Sequence, residues 1–288
     1  MRLMHVYGIA ILMAASFWGQ PGFAAPQRIV STELCTDEYV FRLVPRARIA
    51  ALSFLAADDH PIVSTIHDKV KGIPLTHGSA EEVMSLKPDM VVLYRGQNPR
   101  LKAHLTESHT PFVEIDDANS LADVRKVTRD LGRSLGAQQR ASELIAQMDR
   151  TLTAASAIAP HSPVRTLIYE PNGYANSSGV SDDILHAAGL ADIASQMSRT
   201  RMGTIPVEAV VASPPALLIL NAQHEGAPSR GDLILQHPAL RALPQSTLVA
   251  GAALTPLLCP GPWSVDVVAP LARLGREARK LASTSPGL

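Results

Sequence analysis

The sequence has little of what marks an enzyme. There is no GxSxG, no P-loop and no GxGxxG after a strand, and no spacing of Ser and His singles out a triad. Cysteine occurs only at Cys35 and Cys259, too few to ligate an iron–sulfur cluster. Aromatic residues make up 4% of the 288 residues, so each one in a loop draws notice. The formal net charge is zero, which removes any overall pull toward nucleic acid. The basic run Arg125, Lys126, Arg129 and Arg133 has helical spacing and reads as a solvated helix face. After the first 25 residues, no apolar stretch is long enough for a transmembrane helix.

The N-terminus is patterned. Arg2 and His5 precede an apolar run from Val6 to Trp18, and the small residues Gly22, Ala24 and Ala25 follow. This is the order of a secretory signal, with cleavage expected after Ala24 or Ala25 and an uncleaved anchor as the alternative. Residues 1–25 are therefore expected to be removed, leaving a soluble exported chain with no cysteine at the cleavage region for lipidation. An oxidising compartment permits a disulfide between Cys35 and Cys259. A lobe-bridging disulfide, free buried thiols, and thiolate ligation of haem iron or a metal are three open readings.

One stretch organises the rest. Ser79 to Gly96 reads SAEEVMSLKPDMVVLYRG. It comprises an apolar helical face, a Lys-Pro-Asp stop and a short apolar strand of the kind buried on both faces. Ile205 to Leu220, IPVEAVVASPPALLIL, repeats the phrase, with Glu208 in the place of Glu81, 127 positions on. Two similar lobes follow from this, rather than a short-period array. In the first lobe, residues 26–119, strands at 28–31, 48–52, 90–93 and 111–115 alternate with helices, which implies a parallel sheet with crossover helices. Residues 120–158 carry apolar residues at helical spacing, interrupted at Gly132 and Gly136. They read as a stiff connection, one long helix with a break near Gly136 or two helices meeting there. The second lobe, residues 163–288, starts with a strand at 165–169 and ends with a helix at about 265–280.

The LKPDMVVLYRG phrase closely resembles the cobalamin-binding member of a known family. The opening RIVSTELCTDE, the EPNGY…SSG loop and the CPGPW segment resemble a subgroup assigned to iron-complex or cobalamin uptake. The chain, from Arg28 to about Leu281, thus resembles the periplasmic substrate-binding proteins of ABC importers for cobalamin, ferric siderophores and haem. The resemblance implies an α/β fold of two Rossmann-like lobes joined by a single long interdomain α-helix, a class III periplasmic binding protein. It implies a ligand in the cleft between lobes, no catalysis and no resident cofactor. It also implies docking of a monomer in the periplasm onto an inner-membrane permease dimer, through one exposed glutamate per lobe, here Glu81 and Glu208. The transported ligand would be a ferric siderophore or cobalamin, with haem as the alternative. A ligand sensor or scavenger without a permease is the reading from another class.

Loops that follow strands should line the cleft. In the first lobe these are Glu33 to Thr36, Phe54 to Asp59, His77-Gly78 and Tyr94 to Asn98. In the second they are Asn172 to Ser178, Arg201 to Thr204, Asn221 to His224 and Leu258 to Trp263. Tyr94, Tyr174 and Trp263 offer flat faces for a corrin, porphyrin or catecholate ring, with filling of a lobe's interior as the alternative for Tyr94 and Trp263. Arg95 and Arg201 could hold carboxylates or an anionic ferric chelate bidentately, with an ordinary solvated arginine as the alternative. His77 and His224, in cleft loops of opposite lobes, are the candidates for a metal or haem iron. The spacings of His60, His67, His77, His104 and His109 match no known zinc pattern, and the His-rich loop of zinc and manganese binding proteins is absent.

Overall fold

The computed structural model describes residues 24–60, 63–176, 178–198, 202–221 and 229–284. The first lobe is a sheet of β1 (Ile29–Ser31), β2 (Ile49–Ser53), β3 (Leu75–Thr76), β4 (Met90–Tyr94) and β5 (Phe112–Ile115). Its order is β3-β2-β1-β4-β5, and every pairing is parallel. Val30, Val91 and Val92 are fully buried, as expected for strands covered on both faces. The covering helices are α1 (Leu34–Leu43), α2 (Ala80–Ser85) and α3 (Pro99–Glu107). Helix α1 starts at Leu34, where Thr36 folds back on Glu33. The Thr36 hydroxyl donates to Glu33 O at 2.7 Å and accepts from Glu33 N–H at 3.2 Å.

The connection is a helical hairpin rather than one continuous helix: α4 (Leu121–Ser134) and α5 (Gln138–Ser156) lie antiparallel, with Arg125 reaching Asp149 at 2.5 Å. Gly136 causes the break. At φ +61° it ends α4, with Ala137 N–H on Gly132 O at 2.7 Å and Gly136 N–H on Arg133 O at 3.2 Å, the paired bonds of a Schellman cap. Gly132 lets the two helices touch, since a Cβ there would stand 2.5 Å from Ala141 Cβ. Helix α5 then joins the lobes. Its Ala141 and Leu144 pack in the first-lobe core, and Met148 and Ala155 in the second. Its 19 residues span roughly 28 Å at the rise of an α-helix.

The second lobe contains β6 (Val164–Tyr169), β7 (Tyr174–Asn176), α6 (Gly179–Ala187), β8 (Leu190–Asp192), α7 (Ala194–Met197) and β9 (Met202–Thr204). It continues with α8 (Val207–Ala212), β10 (Leu217–Leu220), α9 (Pro238–Arg241), β11 (Leu248–Gly251) and α10 (Val268–Thr284). Its main sheet, β11-β10-β6-β8, is parallel throughout. Read from the other edge, β8-β6-β10-β11 is the order β2-β1-β4-β5 of the first lobe, so the repeated phrase occupies the same place in both lobes. Strands β7 and β9 form a separate antiparallel pair. They have three residues each, too few for alternation to show in the sequence. Among the described residues no helix is long and apolar enough to cross a membrane.

Candidate ligand-binding cleft

In both sheets the strand order reverses direction beside one pair, β1 and β4 in the first lobe, β6 and β10 in the second. The loops leaving these strands diverge and open a crevice, the place where open α/β sheets take ligands. A cavity of about 370 Å³ lies there in the second lobe. Its polar wall is Glu170, Tyr174, Asn176, Ser181, Asn221 and Thr255. Ile168, Leu254, Leu257 and Leu258 supply apolar surface, and Val63 reaches it from the first lobe.

The polar wall is pre-ordered. Asn221 Nδ2 donates to Glu170 Oε1 at 2.9 Å, and Asn221 N–H donates to Tyr169 O at 3.1 Å. Glu170 N–H donates to Tyr174 O at 2.9 Å, closing the EPNGY turn. Asn172 and Gly173 in that turn have φ of 59° and 74°. Beneath it, the Tyr169 hydroxyl donates to Ile205 O at 2.7 Å. Burial, and then the charge of Glu208, push the Tyr169 phenol up to about 12, so it keeps its proton as a donor.

Of the described candidates for ligand contact, Tyr174 alone lines this cavity. Tyr94 is half-buried at the end of β4, packed on the first-lobe core, and its hydroxyl donates to Asp117. Burial and that carboxylate raise its phenol well above the usual range. Arg95 is exposed and its fork is engaged within its own lobe, on Asp116 and, at 3.5 Å, on Glu114. Trp263 corrects the expectation most: it is buried in the first-lobe core rather than on a cleft wall. Its ring stands edge-on to Tyr39 and beneath the Arg42 guanidinium, 4.3 Å from the ring centre. The proline-rich loop turns the ring inward. Trp263 N–H donates to Cys259 O at 3.0 Å, and Tyr39 Oη donates to Pro260 O at 3.0 Å. Arg201 and His224 lie outside the described residues.

Cys35 and Cys259 are joined by a disulfide with S–S 2.03 Å. It ties the first turn of α1 to the segment between β11 and α10. That segment crosses from the second lobe, where Leu254 is core, to the first, where Trp263 is core. The bond thus reinforces a crossing that packing already makes. His77 is exposed, its Nδ1 3.7 Å from Glu82 Oε1, and its ring stacks on the exposed Phe54 at 4.8 Å. Among the described residues, no three His, Cys, Asp or Glu side chains converge on a metal position.

The sequence reading named the loops that hold Asn176, Asn221 and Leu258 but did not single these residues out, and it missed Glu170 and Val63. The signal for Glu170 was its position directly after a buried strand. Val63 is brought in only by tertiary packing. Glu81 and Glu208 are both exposed, each the second residue of a six-residue helix that precedes an inner strand.

A family model described as periplasmic binding protein matches residues 43–245. The chain belongs to the periplasmic binding proteins. Solved structures with this fold include the periplasmic heme-binding protein RhuT from Roseiflexus sp. RS-1 in apo form. It is 22% identical, with a TM-score of 0.67, covering 88% of this chain and 98% of that one. The periplasmic vitamin B12 binding protein BtuF of Vibrio cholerae is 17% identical, with a TM-score of 0.65 and coverage of 89% and 99%. The periplasmic heme binding protein HutB of Vibrio cholerae is 17% identical, with a TM-score of 0.69 and coverage of 86% and 98%. No curated sequence matches the chain. At these identities the structures share the fold, two α/β lobes of parallel sheets.

Proposed function

We propose that this chain carries a metal chelate or corrinoid, a ferric siderophore or cobalamin, from the periplasm to an ABC importer. The observation that carries the reading is the cavity at the carboxyl ends of β6 and β10, faced by Val63 of the opposite lobe. Its volume of about 370 Å³ is at the lower end for small-molecule sites, so a large ring would enter by one edge. Tyr174 would lie against the ring, with Asn176, Asn221 and Glu170 meeting polar groups on its rim. Such a site binds and releases; it carries out no reaction. The signal at residues 1–25 would export the chain. A haem cargo is the second reading, supported by the heme-binding proteins RhuT and HutB among the similar structures.

Delivery would use Glu81 and Glu208 as paired carboxylates, one per lobe, set on arginines of a permease dimer by a monomeric binding protein. Their ordinary alternative role is favourable placement at a helix N-terminus. Two measurements test the reading. Calorimetric titration of the mature protein with cyanocobalamin, haemin and a panel of ferric siderophores should give saturable sub-micromolar binding for one of them. Glu81→Ala with Glu208→Ala should impair uptake and leave that affinity intact. No binding by any of these compounds would overturn the cargo; lost affinity in the double variant would overturn the docking role.

A further inference from the structure

In both lobes, the residue just before the N-cap of the glutamate-bearing helix is held by a cleft loop. In the first lobe that residue is Gly78, which precedes Ser79, the N-cap of α2. Its carbonyl accepts from Asn98 Nδ2 at 2.7 Å. Asn98 ends the loop that leaves β4 at Tyr94, and its Oδ1 also caps α3 by accepting from Leu101 N–H at 3.2 Å. In the second lobe the residue is Ile205, which precedes Pro206, the N-cap of α8. Its N–H donates to Gly173 O at 2.8 Å, and its carbonyl accepts from Tyr169 Oη at 2.7 Å. The same backbone position is thus tied to the cleft in each lobe by a different side chain.

The second-lobe link has no slack. Gly173 lies between Glu170 and Tyr174, two residues of the cavity wall. A Cβ on Gly173 would stand 2.8 Å from both Ile205 O and Tyr169 Oη. Glu170 is held in turn by Asn221. A shift of Glu170 or Tyr174 therefore reaches Ile205 through direct hydrogen bonds, three residues before Glu208. In the first lobe a shift of the loop from Tyr94 to Asn98 reaches Gly78, three residues before Glu81.

We propose that Asn98 and Tyr169 are positioning residues that couple the cleft loops to the helices bearing Glu81 and Glu208, so that filling the cleft resets the start of those helices. The proposal rests on the docking reading of the two glutamates and adds to it the residues that would relay occupancy. Coupling between two sites is a shared free energy and acts in both directions. Here its carrier is a contiguous set of hydrogen bonds, which makes it open to a direct test.

The test is amide hydrogen exchange on the mature chain, resolved to single residues, with no ligand required. Asn221→Ala frees Glu170 in the cleft. It should speed exchange of the Ile205, Ala209 and Val210 amides by roughly threefold to tenfold, the scale of one ordinary hydrogen bond. Tyr169→Phe should do the same, and because Gly173 O still holds Ile205 N–H, the double variant should exceed either single variant by less than the product of their effects. In the first lobe, Tyr94→Phe frees the loop from Asp117. Asn98→Asp removes the donor to Gly78 while keeping the cap on α3. Their effects, read at the Glu82 and Val83 amides, should likewise merge. The lobes provide independent tests, so a variant that fails to fold in one leaves the other decisive. Strictly additive effects, or docking-helix amides indifferent to the cleft substitutions, would overturn the proposal. Unimpaired uptake by Glu81→Ala with Glu208→Ala would instead remove the docking role and leave the exchange result standing.

Discussion

Trp263, which follows the last strand of the second lobe, stands edge-on to Tyr39 of the first, with ring centroids 4.9 Å apart and planes at 67°. The pair closes a second crossing between the lobes, separate from α5. Trp263 is 7% exposed and lies in the first-lobe core. Trp263→Ala should therefore lower unfolding stability by about 3–5 kcal/mol, the cost of a large buried aromatic removed without refilling. Urea unfolding measures this. As the only tryptophan beyond Trp18, it should emit from an apolar environment in the folded chain prepared without residues 1–25 and shift to the red on unfolding. Quenching by a bound coloured ligand would then act across a distance rather than by stacking.

The Cys35–Cys259 bond closes a loop of 224 residues. Chain-entropy arithmetic assigns such a loop roughly 5 kcal/mol. Thiol titration of the denatured protein should find no free thiol before reduction and two after. Cys35→Ser with Cys259→Ser should lower stability by less than that figure, because Trp263 and Pro260 still hold the segment on Tyr39 and Arg42. The clearest local effect should be faster exchange at Leu257 and Leu258, cavity-wall residues directly before the bond.

Asp37 adds a pH dependence. It is fully buried in α1 and accepts from Ser53 N–H at 3.1 Å and from the Ser53 hydroxyl. Burial outweighs those bonds and pushes its carboxyl up to about 7 from an ordinary 3.8. Between these values the folded protein holds a proton that the unfolded chain has given up. Stability should therefore fall as pH rises from about 4 to 7, then level off for this group. Asp37→Asn, which keeps an acceptor for Ser53, should flatten that slope in melting temperatures taken across the range. An unchanged slope would assign it to other groups.

Much of the fold was legible because parallel strands buried on both faces leave continuous apolar runs. MVVL at Met90 and LLIL at Leu217 are such runs, and each follows a proline stop that marks a helix end. The repeat likewise gave Glu81 and Glu208 the same place in the two phrases, and the fold leaves both exposed. What the sequence did not yield is direction. Nothing in TPLLCPGPW says that its tryptophan turns away from the cleft; that follows from where Tyr39 and Arg42 stand, more than two hundred residues earlier. Arg95 follows a strand end, as a ligand-gripping arginine would, but Glu114 and Asp116, at the end of the neighbouring β5, take its fork. The hairpin of α4 and α5 was half legible: Gly136 marked a break, while the antiparallel return is decided by its left-handed φ and the contact of Gly132 with Ala141.

The cavity wall makes a prediction that separates stacking from polar contact. Tyr174 is half-buried, its backbone carbonyl fixed by Glu170 N–H, so substitution of its ring should leave the turn in place. For whichever titrated compound binds, Tyr174→Phe should keep most of the affinity if the ring face is what matters. Tyr174→Ala should cost roughly tenfold or more, the scale of one aromatic contact together with its buried area. Asn221→Ala should also weaken binding, by freeing Glu170 as well as removing an amide. Trp263→Phe, which keeps a ring against Tyr39, should leave affinity nearly unchanged. If Trp263→Phe weakened binding more than Tyr174→Ala did, the ligand would sit against the crossing segment, and the cavity at β6 and β10 would not be its main contact. Calorimetry on the four variants decides between these arrangements.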